Sequence, residues 1–142
     1  MDTKKLLMAT GASFLVMFLL GGLFHMVIIK DFFMSHAGLA GNVARKEPML
    51  PFIALGCLVL STLMSYLYPK GVEGESTAVQ GLRFGMLIGI LWVTPLTLIL
   101  YGATTVYSKY VVIVDCGWHI LEQGIGGVVI AMVYGKSLSK TS

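Results

Sequence analysis

Residues 111–134 read VVIVDCGWHILEQGIGGVVIAMVY. The stretch is apolar and long enough to cross a bilayer, which takes about 20 residues in a helix, yet it contains Asp115, His119 and Glu122. These lie at i, i+4 and i+7, so at about 100° per residue all three project from one side of a helix. A carboxylate at mid-membrane costs roughly 2.5–3.5 kcal/mol on insertion scales, and such residues face a protein interior, a partner or water rather than lipid. The stretch therefore specifies a membrane span with a polar edge.

The rest of the chain has the same character. Of 142 residues, 56% are hydrophobic and 12% charged, about half the charged fraction of a soluble domain. Four segments account for the excess: 6–29, 49–68, 79–102 and 111–134. Each suits a spanning helix, and none shows the ten-residue alternation of a membrane β-strand. The expected fold is all-α, a single integral membrane four-helix bundle occupying residues 1–142. The first span follows Lys4 and Lys5 but is longer than the apolar core of a signal peptide, so it reads as a retained helix. The small residues around Ser35-His36-Ala37 lie well beyond its apolar run.

The net charge of +3 comes from scattered basic residues, which is no nucleic-acid footprint. It reports topology. Lys4, Lys5, Lys70, Arg83, Lys136 and Lys140 fall on one side of the membrane, and Lys30, Arg45, Lys46 and Lys109 on the other. The positive-inside rule then places both termini in the cytoplasm, and a bacterial cytoplasmic membrane is the expected location. The first loop, 30–48, suits an interfacial helix or a lid, with Gly38, Gly41 and Asn42 loosening its middle and His36 solvated. The turn after the second span, with Glu73 and Glu75, reads as a solvated loop.

Gly81, Gly85 and Gly89 flatten one face of the third span, which lets another helix approach closely. That helix belongs either to this chain or to a second one. Arg83, Thr94, Thr97 and Tyr101 are expected opposite the glycines. Thr94 and Thr97 serve either to satisfy the carbonyl freed by Pro95 or, with Tyr101, to line a polar pocket. On the fourth span Gly117, Gly124 and Ala131 form a small-residue stripe away from the polar edge. Two such packing faces lead us to expect a homo-oligomer or a complex with other membrane subunits. Gly21-Gly22 admits close approach of another backbone near His25.

With this topology Asp115 lies about 6 Å inside the outer edge, His119 about 12 Å, and Glu122 near the midplane. His25 on the first span shares the depth of Asp115, so the two histidines and Asp115 converge if those spans are neighbours. Three uses fit. Carboxylates and imidazoles at successive depths can hold a proton or cation. His25, Asp115 and His119 are also candidate ligands for zinc, iron or copper, with Met26, Met34 and Met49 as soft additions. A neutral hydrogen-bonded network that fixes helix register is the third. There is no HExxH, P-loop, serine elbow or redox CxxC, and Cys57 and Cys116 read as free thiols within spans. Trp92 and Trp118 read as packing residues. The leading expectation is a small non-enzymatic membrane component whose polar edge binds a proton, a cation or a partner helix. The alternative is a metal-binding membrane enzyme or metal transporter using His25, Asp115, His119 and Glu122.

Overall fold

A computed structural model describes residues 2–36, 39, 45, 47–72 and 77–135. The elements are α1 (Thr3–Leu23), running on through a π-helical turn at Phe24–Ile28; α2 (Lys30–His36); α3 (Leu50–Gly71); α4 (Ala78–Ala103); and α5 (Lys109–Gly135). The described residues contain four helices long and apolar enough to cross a membrane: Thr3–Ile28, α3, α4 and α5. Their many exposed Leu, Ile, Val and Phe side chains are the surface that lipid would solvate. Gly38, Gly41, Asn42, Lys46, Glu73, Glu75, Lys136 and Lys140, which entered the loop and topology arguments, lie outside the described residues.

Local chemistry sets the helix ends. Asp2 caps α1, its Oδ1 accepting from the backbone N–H of Lys4 (2.9 Å) and Lys5 (3.3 Å). Thr77 and Gln80 form a reciprocal capping box at the start of α4. Ser108 Oγ accepts from the Val111 N–H at the start of α5. The second span runs three residues past its expected end, through Pro69 to Gly71. Pro69 leaves the Ser65 carbonyl without its helical donor, and the Tyr134 hydroxyl donates to that carbonyl at 2.9 Å. The hydrogen bond that proline removes from α3 is thus replaced from α5.

Helix α5 is central. It packs most extensively against α4 and also against α1; α1 packs on α3, while α3 barely touches α4. The glycines explain the tight α4–α5 pair. A Cβ at Gly81 would strike the Gly127 carbonyl and Ala131, one at Gly85 the Gln123 carbonyl, and one at Gly89 would stand 2.7 Å from Ile120 Cα and 2.8 Å from the His119 carbonyl. The partner of the glycine face is therefore a helix of this chain. The buried residues of α4 are Gly81, Gly85, Gly89, Val93 and Thr97, so Thr97 continues the glycine row rather than lying opposite it. Its hydroxyl donates to Val93 O at 2.7 Å, not to the Leu91 carbonyl that Pro95 frees, and Thr94 Oγ1 has no partner among the described residues. Of the expected stripe on α5, Gly124 and Ala131 pack against α4. Gly117 is exposed and a Cβ there would meet nothing within 4 Å, so it takes no part in packing among the described residues.

The core lies toward the termini. Ala9, Met17, Met64, Tyr68, Ile130 and Ala131 form it, and Phe84 meets Tyr68 edge-on at 5.3 Å. Ser13, Ser61 and Ser65 are fully buried, small enough to let α1 and α3 approach. All buried residues of α3, Ser61 to Tyr68, lie in its second half. Its first half, Leu50–Leu60, contributes none. At the other end α2 folds back on the start of α5: His36 stacks on Phe32 at 4.4 Å, meets Tyr110 at 5.4 Å, and accepts from the Ser108 hydroxyl at its carbonyl. His36 is partly buried in this contact rather than solvated.

Candidate metal centre

His25 sits in the π-helical turn. Wide turns of this kind cost regularity and are frequent at functional sites. Phe24 lies flat against Trp118 of α5, centroids 3.9 Å apart and planes 2° from parallel, which fixes the turn against α5. His25 Nδ1 is 3.0 Å from the Gly21 carbonyl. A carbonyl only accepts, so Nδ1 carries the donated proton. Nε2 faces Asp115 Oδ1 at 3.2 Å.

His119 is arranged the same way. Its Nδ1 is 2.9 Å from Glu122 Oε2, an oxygen that also accepts from Gln123 Nε2 at 3.3 Å. Its Nε2 lies 3.7 Å from the same Asp115 Oδ1. The ligand atoms of His25, Asp115 and His119 all fall within 4.8 Å of one another. Burial deepens along the row: the side chains of His25, Asp115, His119 and Glu122 are 35%, 25%, 21% and 6% exposed. Glu122 is admitted by Gly21, where a Cβ would stand 2.6 Å from Oε1. Gly21 thus makes room for a side chain rather than for a backbone, and a Cβ at Gly22 would meet nothing.

The outcome is two imidazole nitrogens and one carboxylate oxygen facing one another, with each histidine's other nitrogen held by an acceptor. Three lone pairs in this position repel unless a proton or a metal ion lies among them. A carboxylate or carbonyl behind each ligating histidine is the usual outer shell of a metal site. Ligand atoms ~2.0–2.1 Å from a tetrahedral ion stand ~3.3 Å apart, close to the 3.2 Å between His25 Nε2 and Asp115 Oδ1 and shorter than the 3.7 Å between His119 Nε2 and the same oxygen. Met26, Met34 and Met49 are exposed.

A cavity of about 320 Å³ adjoins the site, bounded by α1, the first half of α3, Trp92 of α4, and His119, Glu122 and Gln123 of α5. Thr94, Thr97 and Tyr101 do not line it. Sequence reasoning missed Gly21, Gln123, Trp92 and Cys57 as residues around the site, and Gly127 as the counterpart of Gly81 and Gly85. The spacing Gly21-x-x-x-His25 was the available signal for the first. Cys57 and Cys116 are free thiols. The chain matches no family model, no curated protein and no solved structure.

Proposed function

We propose that this protein binds a borderline divalent transition-metal ion, of the zinc class, inside its membrane-spanning bundle. His25 Nε2, His119 Nε2 and Asp115 Oδ1 are the ligands, and Glu122 and the Gly21 carbonyl orient the rings. The observation that carries this reading is the pairing of both Nδ1 atoms with acceptors, with both Nε2 atoms within 3.7 Å of one carboxylate oxygen. Imidazole donors suit zinc, copper, nickel and iron, whereas calcium and magnesium require more oxygens than are present. A three-ligand set leaves a position for water or another molecule.

This reading takes up the metal-binding alternative in place of the leading expectation of a proton, cation or partner-helix site. Beyond Glu122 the core around Met17, Met64, Tyr68 and Ile130 argues against a continuous ion path. Assembly with further subunits loses the support of Gly81, Gly85 and Gly89, which pack internally. The membrane we propose is a bacterial cytoplasmic one with both termini inside, on the distribution of basic residues.

Equilibrium dialysis of metal-stripped protein in nanodiscs, followed by elemental analysis, tests the reading. About one zinc per chain should remain, with calcium and magnesium unable to displace it, and His119→Ala should abolish retention. Absence of zinc, or equal retention by the variant, would rule the site out.

A further inference from the structure

The cavity beside the metal ligands is lined mainly by apolar groups, among them Met17, Phe52, Ile53, Leu60 and Trp92, together with the polar side chains of His25, His119, Glu122 and Gln123. Most of the donors among these polar groups are already in use, one N–H of the Gln123 amide excepted. His25 Nδ1 goes to the Gly21 carbonyl, His119 Nδ1 to Glu122, and the other Gln123 amide N–H to the same carboxylate. The acceptors that remain are the Glu122 carboxylate and Gln123 Oε1, which among the described residues is buried without a partner on a side chain only 2% exposed. A buried acceptor without a donor is costly, and a molecule that supplies one would relieve that cost.

The apolar lining bears on where such a molecule comes from. No residue of Leu50–Leu60 is buried, and α3 makes little contact with α4. The cavity therefore lies in the part of the bundle where α3 is unpacked, at the level of spanning helices. At the ~30 Å³ that a water takes in the liquid, the volume holds roughly ten non-hydrogen atoms. That suits a head group and the first part of a chain, the remainder continuing into the hydrocarbon.

We infer that this cavity binds a membrane-soluble amphiphile, an aliphatic chain ending in a hydrogen-bond-donating hydroxyl. The hydroxyl lies among His119, Glu122 and Gln123, and the chain runs along α3 past Gly56 and Cys57. The inference rests on the metal reading in one respect only, that the hydroxyl then also lies beside the ion's remaining position.

The test is photolabelling in nanodiscs with a long-chain alcohol carrying a diazirine near its hydroxyl end. Adducts should map to Phe52–Leu60 and Trp92 and be displaced by unlabelled alcohol. The matching alkane without a hydroxyl should give no displaceable adducts there. Gly56→Leu fills the space, since a Cβ at Gly56 meets nothing within 4 Å, and should lose the labelling while retaining zinc. Cys57→Met, filling from the next position, should give the same loss and separates occlusion from misfolding. Asp115, which does not line the cavity, separates the two readings: Asp115→Asn should lose zinc and keep the labelling. Labelling that cannot be displaced, that spreads over lipid-facing residues such as Leu19 and Leu98, or that is equal for alcohol and alkane would overturn the inference, whether or not zinc binds.

Discussion

Glu122 touches no proposed ligand position itself and acts through His119. Removing an outer-shell partner of a metal-bound histidine lowers affinity 10–100-fold as a rule. Glu122→Gln should therefore weaken zinc binding by roughly that factor in competition titrations, while His25→Ala and His119→Ala should abolish it. Gly21→Ala is a subtler probe. Its Cβ would displace Glu122 Oε1, so zinc affinity should fall although no ligand has changed; unaltered affinity would mean that Glu122 does not orient His119. The polar row itself was legible in the sequence, because i, i+4, i+7 spacing alone places three side chains on one side of a helix. The role of Gly21 was not legible, because it depends on which neighbour fills the space a missing side chain leaves.

At the scale of elements, the glycines of α4 and α5 are not equivalent. Gly85 faces backbone on α5 that cannot yield, so Gly85→Ala should destabilise the fold by about 1–3 kcal/mol, the usual cost of overpacking. Gly117 faces open space, and Gly117→Ala should stabilise α5 by roughly 0.5–1 kcal/mol through helix propensity. Thermal unfolding in detergent would report both, and similar shifts for the two would contradict the packing described. Tyr134→Phe removes the donor that replaces the one Pro69 lacks and should cost about 1–3 kcal/mol in the same assay. Thr97 was misassigned for a physical reason. Each four-residue step turns a helix 400°, a drift of only about 40°, and a helix crossing along that row keeps Gly81 through Thr97 on one buried line. A projection onto a straight cylinder puts Thr97 on the far side.

For the whole molecule, the four long apolar helices begin and end within a few residues of the segments expected from length and hydropathy. The differences at their ends come from Asp2, Thr77, Ser108 and Pro69, whose effects are local hydrogen bonds rather than hydropathy. The convergence of His25 with Asp115 required knowing that α1 and α5 are neighbours, and the cavity exists because α3 packs along only half its length. Neither property resides in one segment. The most direct measurement is X-ray absorption at the zinc edge of the loaded protein in nanodiscs. Nitrogen and oxygen neighbours are expected at ~2.0–2.1 Å, with a two-imidazole signature that disappears in His25→Ala and His119→Ala. A spectrum without imidazole, or one unchanged in either variant, would contradict the proposed metal site.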